Sequence, residues 1–192
     1  MTGRFIAVVG PSGVGKDSVM EGLCAKRPDL VRARRTITRD PDAGCEAFDG
    51  VSRAAFAQRA AAGAFALQWQ AHGLCYGIPV TVHAVLRDGR DVLANLSRGV
   101  LVEASDVFDR LLVLHVTAQR NVLASRLLAR GRETETEVAR RLARPALSLP
   151  ETLKVIDIDN SGSLQDAVSQ ADIALYPLDA CARMAPDLRT RT

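Results

Sequence analysis

Lysine is nearly missing from this chain: only Lys16, Lys26 and Lys154 occur, and arginine supplies 22 of the 25 basic residues. Aromatic residues are also scarce, at 4% of 192 positions. With a net charge of only +3, that scarcity argues against the basic, aromatic-bearing surface of a nucleic-acid binder. The four cysteines, Cys24, Cys45, Cys75 and Cys181, include no closely spaced pair, so neither a disulfide framework nor a zinc site is expected. No run approaches the roughly 20 apolar residues that cross a bilayer, and the opening MTGRFIAVVGPSG lacks the basic-then-apolar layout of a secretory signal. These absences set the expectation of a cytoplasmic protein with no membrane or nucleic-acid partner.

What is present is the composition of one globular domain, 47% apolar and 24% charged, long enough to bury a full core. The arginine excess suits bidentate phosphate contacts and follows equally from a GC-rich genome. Residues 4–9 (RFIAVV) form a short β-branched apolar run that stops at Gly10, and Lys16 to Ala25 reads as a helix. Residues 31–37 and 65–71 read as strands, and Ser52 is placed to cap a helix running to about Ala62. Pro79 is expected to open a helix ending at Asp88 and Gly89. The runs 91–96 and 110–116 read as buried parallel strands, 154–158 gives one more strand, and a last helix is expected from Leu164 to about Ala171. Strands alternating with helices predict a three-layer α/β fold with a mainly parallel sheet, whose ligands lie at the strand carboxyl ends. One domain is expected over 1–176, with a weakly packed tail over 177–192.

Gly10-Pro11-Ser12-Gly13-Val14-Gly15-Lys16 matches GxxxxGK between a strand and a helix. Glycines let backbone N–H groups converge on phosphate oxygens, and the lysine reaches the β- and γ-phosphates of ATP. The hydroxyl residue that usually follows the lysine and binds Mg²⁺ is here Asp17, with Ser18 after it. A carboxylate is a good hard-oxygen ligand, directly or through water; Asp17 also suits a helix N-terminus without any metal. Ser18 lies about 100° further round the helix. These features predict an ATP-dependent P-loop kinase, with Gly10 to Ser18 as the ATP phosphate site, Lys16 as a catalytic group and Asp17 as the candidate metal ligand.

The phosphate loop, together with Thr36-Ile37-Thr38-Arg39, the strand 65–71, His72-Gly73-Leu74-Cys75-Tyr76-Gly77, Arg126-Leu127, Arg130-Gly131-Arg132, Arg140-Arg141-Leu142 and Asn160, resembles the guanylate kinase layout over roughly residues 4–170. The resemblance implies a small acceptor-binding subdomain at about 35–80 and an arginine-bearing lid at about 130–146. Carried over, Arg39 and Tyr76 match the acceptor-phosphate positions, whereas a second phosphate-binding arginine and a tyrosine appear as Asp42 and Phe48. The guanine-reading positions appear as Arg35, Gln70, Ile78, Asn95 and Ser97. Sites built on hydrogen bonds discriminate sharply, so these replacements argue against guanine as the ligand.

Within the superfamily, GPSGVGKDS, TITR, HGLCYGIP and the NxS motif at Asn95 to Ser97 resemble the ribose 1,5-bisphosphate phosphokinases. The resemblance implies conversion of ribose 1,5-bisphosphate and ATP into 5-phosphoribosyl 1-diphosphate (PRPP) and ADP in phosphonate breakdown. It implies an acceptor site of Arg35, Arg39, Gln70, Tyr76, Asn95 and Ser97, with Arg39 and Tyr76 on one phosphate and Arg35 on the other. It also implies catalytic lid arginines Arg130, Arg132 and Arg141. The acceptor 1-phosphate is already ionised at neutral pH, so no general base is required. Two rivals remain: a nucleoside monophosphate kinase with relaxed base reading, and a non-catalytic guanylate kinase-like binding module. Oligomeric state stays open between monomer and homodimer. His115 within an apolar strand pattern, and Trp69 alternating with Phe65 and Leu67, are expected to be core residues rather than site residues.

Overall fold

The computed structural model describes residues 2–39, 48–129, 131, 134–143 and 148–177, with Arg141 described in backbone only. A five-stranded sheet carries the fold. Its strands are β1 (Phe5–Val9), β2 (Val31–Arg32), β7 (Val92–Asn95), β8 (Leu111–Thr117) and β9 (Val155–Asp159), in the spatial order β2-β7-β1-β8-β9. Every pairing in it is parallel. Ile6, Val8, Leu93, Leu112 and Leu114 face one buried cluster, and Phe5, Ala7, Val9, Val92 and Val113 face the other. Burial on both faces explains why these strands read as continuous apolar runs rather than as alternating patterns.

Helix α1 (Lys16–Lys26) and helix α7 (Leu164–Leu175) supply Met20, Leu23, Ala167 and Ala171 to the first cluster. Helix α4 (Leu101–Val107) supplies Leu101 and Ala104 to the second. A smaller sheet is built from β3 (Thr36–Ile37), β4 (Asp49–Gly50), β5 (Phe65–Ala71) and β6 (Leu74–Pro79), in the order β4-β3-β6-β5. Helix α2 (Arg53–Ala61) lies within the same segment and starts as the sequence indicates, with Ser52 Oγ accepting from the Ala55 N–H at 3.1 Å. Helices α3 (Val82–Arg87), α5 (Arg120–Ala129) and α6 (Glu135–Leu142) complete the described elements.

Three sequence expectations are corrected. The single strand over 31–37 is two strands in different sheets: Ala33 N–H donates to Leu93 O at 2.8 Å in the main sheet, while the Arg35 carbonyl accepts from Asp49 N–H at 2.8 Å in the small one. Pro79 closes β6 rather than opening a helix, because Val80 N–H continues the pairing towards Ala64 O at 2.9 Å; the helix begins at Val82. The last helix runs to Leu175, one turn beyond the expected end. That extra turn holds Asp172, 3% exposed, which accepts from Arg27 and lies 3.0 Å from Lys26 Nζ. The expected tail from 178 onward lies outside the described residues.

Candidate active site

The phosphate loop leaves β1 at the carboxyl edge of the main sheet. Gly10, Gly13 and Gly15 take φ of 152°, 84° and 90°, a backbone that side-chain-bearing residues adopt only with strain. Gly15 is constrained twice, since a Cβ there would lie 2.6 Å from Asn160 Nδ2. That amide belongs to the residue following β9 and donates to the Val14 carbonyl at 2.7 Å. Asn160 is itself held by its N–H to Thr117 O at 2.8 Å and by Arg126 Nη1 on its carbonyl at 2.8 Å. Lys16 folds back over the loop, its Nζ 2.9 Å from Gly10 O and 3.0 Å from Pro11 O. The ammonium therefore stands over the cradle that a β- or γ-phosphate would fill.

Asp17 occupies the first turn of α1 and Ser18 is exposed beside it. Asp17 Oδ1 accepts from Arg32 Nη2 at 2.7 Å. Among the described residues no group of three or more His, Cys, Asp or Glu side chains is arranged to hold a metal. One half-exposed carboxylate beside a phosphate cradle suits a divalent cation held mainly by nucleotide oxygens and water, the usual arrangement for Mg²⁺.

Beside the phosphate loop, at the carboxyl end of the neighbouring strand β7, Asn95 is 8% exposed, and Arg35, which reaches it, is 7% exposed. Arg35 Nη1 donates to Asn95 O at 3.0 Å. The Arg35 guanidinium lies 5.5 Å over the Tyr76 ring, and that ring stacks on Trp69 at 5.2 Å and 8°. The fold thus brings Arg35, Tyr76 and Asn95 together, with Ser97 half-buried just past β7. Arg39, at the end of the segment that follows β3, is exposed. Gln70 is not brought to this cluster: strand alternation puts it with exposed Gln68, opposite the face shared by Leu67 and Trp69. Asp42, Arg130 and Arg132 lie outside the described residues, as does the Arg141 side chain. Of the segment expected to form a lid, helix α6 is described, with Val138 buried, Leu142 half-buried against the first core cluster, and Glu135, Thr136, Glu137, Ala139 and Arg140 exposed.

Trp69 packs against the second core cluster, as its alternation indicated. His115 has two polar partners that its apolar setting did not announce. Arg98 Nη2 lies 3.0 Å from its Nε2, and Asp157 Oδ1 lies 2.7 Å from its Nδ1. Arginine always donates, so the network assigns the proton to Nδ1. Burial holds the Arg98 guanidinium below its usual value. Arg32, Arg98 and the role of Asn160 as a brace on the loop were missed at the sequence level, because each acts through a partner remote in the chain.

A parallel sheet with strand, glycine loop, lysine and helix at its carboxyl edge, and a small second sheet across the cleft, defines a P-loop kinase of the guanylate kinase-like fold. The guanylate kinase of Anaplasma phagocytophilum has this fold, with a TM-score of 0.68 over 96% of this chain and 88% of that one at 15% identity. No protein-family model matches the chain. Ribose 1,5-bisphosphate phosphokinase PhnN of Ruegeria sp. is 52% identical over 170 residues, which is 88% of this chain and 90% of the relative. The PhnN protein of Agrobacterium fabrum is 47% identical over 166 residues, 85% of this chain and 91% of the relative. The chain belongs to the ribose 1,5-bisphosphate phosphokinase family.

Proposed function

We propose that the chain transfers the γ-phosphoryl group of ATP to the 1-phosphate of ribose 1,5-bisphosphate, giving PRPP and ADP within cytoplasmic phosphonate breakdown. The observation that carries the reading is the pairing of an intact phosphate loop with a buried arginine, Arg35, where a base-reading kinase would present neutral hydrogen-bonding groups. A sugar with two phosphates and no base matches that charge.

The acceptor oxygen is an ionised phosphate, so the step needs alignment and charge neutralisation rather than proton removal. Lys16 sits on the loop carbonyls Gly10 O and Pro11 O, from which it turns to the transferring phosphoryl group. Mg²⁺, when bound with ATP, supplies Lewis-acid neutralisation of the phosphate oxygens, with Asp17 as its protein ligand. Arg39 and Tyr76 hold one acceptor phosphate and Arg35 the other. Arg130, Arg132 and Arg141 close over the triphosphate as a lid that excludes water.

The test is incubation with ATP, Mg²⁺ and either ribose 1,5-bisphosphate or GMP, with products identified by mass. PRPP from the sugar alone supports the reading; GDP would favour a monophosphate kinase. No turnover together with no ATP binding would favour a non-catalytic module. In the same assay Lys16→Ala is expected to lose about 10²–10³ in kcat while remaining folded by circular dichroism.

A further inference from the structure

A carboxylate directly after the phosphate-loop lysine is an electrostatic liability. It adds negative charge beside the site of a triphosphate, in the first turn of a helix whose positive end otherwise attracts phosphate. The Asp17 side chain is 43% exposed and thus open to solvent at the start of α1, while its partner Arg32 is only 24% exposed. Arg32 ends the edge strand β2, which runs parallel to β7, so its carboxyl end lies at the same edge of the sheet as the phosphate loop. The two residues meet across 15 positions of sequence at 2.7 Å.

We propose that Arg32 is the counter-charge that allows a carboxylate to stand next to Lys16: the Asp17–Arg32 pair masks the carboxylate from the nucleotide until a divalent cation takes over that task. With the pair formed, the start of α1 presents the Lys16 charge and the loop N–H groups to phosphate. Without it, Asp17 repels the nucleotide. The cation and Arg32 therefore act on the same charge, and their contributions to nucleotide binding overlap instead of adding. Arg32 is a positioning residue in this scheme and does not touch phosphate.

The experiment is ADP binding by calorimetry to the wild type, Arg32→Ala, Asp17→Asn and the double variant, each with EDTA and with saturating Mg²⁺. The expected result is a loss of about tenfold for Arg32→Ala in EDTA, shrinking in Mg²⁺ and with added KCl. Asp17→Asn should abolish the effect, the double variant binding ADP in EDTA like Asp17→Asn alone. A merely structural role of Arg32 would give a loss independent of Mg²⁺ and of residue 17. Should Arg32→Ala unfold, Arg32→Gln and Arg32→Lys replace it, with rescue expected only from lysine. Equal losses in the presence and absence of Asp17 would overturn the proposal, as would an Arg32→Ala protein that binds ADP like the wild type. The inference rests on nucleotide binding at the phosphate loop, and the wild-type titration tests that separately: no ADP affinity there overturns both.

Discussion

The guanidinium of Arg35 lies 5.5 Å above the ring of Tyr76. The ring also stacks on Trp69, and the arginine donates to the Asn95 carbonyl at 3.0 Å. A buried cation held in this way has its orientation settled before any ligand arrives, which supports the proposal that it takes an acceptor phosphate.

Arg35→Ala is therefore expected to raise KM for ribose 1,5-bisphosphate by about 10- to 100-fold, the span of one charge-assisted hydrogen bond, with KM for ATP nearly unchanged. Steady-state kinetics with each substrate varied in turn checks this. Acceptor kinetics equal to the wild type would remove Arg35 from the site.

The reaction has its own pH signature. Its nucleophile is a phosphate whose second pKa is about 6, so kcat/KM for the acceptor should fall about tenfold per unit below that pH. Above it, the rate should be level, since no general base has to lose a proton. A profile still rising between about pH 7 and 8 would point to a protein base instead.

Gly15→Ala places a methyl group 2.6 Å from Asn160 Nδ2 on a backbone with φ of 90°. The brace from Asn160 to Val14 must then open, and ATP binding should fall at least tenfold, with about 1–3 kcal/mol lost in stability. Nucleotide titration and thermal melting measure the two effects. Asn160→Ala should weaken ATP binding without the backbone strain.

At the far end of α7, burial raises the Asp172 carboxyl, but hydrogen bonds and charges from Arg27 and Lys26 outweigh burial and hold it below its usual value. The folded pKa is thus depressed, so the stabilisation is present above the unfolded value of about 4 and is lost as pH falls through the folded one. Asp91 behaves alike: burial raises it, and bonds from Arg4 and Tyr176 more than reverse that. Asp172→Ala leaves Arg27, 7% exposed, without this carboxylate and is expected to cost about 3–5 kcal/mol, with much of the loss of stability below pH 4 removed. Urea unfolding of both proteins at about pH 7 and at about pH 3, below the unfolded value, tests it.

The phosphate loop was legible because its chemistry is local: glycines, lysine and the strand and helix around them occupy one short stretch. The parallel strands were legible because a strand covered on both faces is apolar where it is covered, as residues 92–94 and 111–114 are. The exchange of sheets at Ala33 was not, since an extended segment carries no mark of which neighbour will take its hydrogen bonds. Gln70 illustrates the same limit: the family resemblance implied a place for it in the acceptor site, and only the register of β5 against β6 shows that it shares a strand face with exposed Gln68.

The sequence by itself determined the phosphate loop, through residue types at short, fixed spacing, the fold class, through strands alternating with helices, and the family, through its resemblance to known members. Tertiary structure alone decided which arginines meet which partners. Arg35 reaches Asn95, Arg32 reaches Asp17, and Arg98 reaches His115, across 60, 15 and 17 positions respectively. An arginine looks the same in sequence whether it ends in solvent or against a partner, and only the tertiary packing around it sets where its long side chain can end.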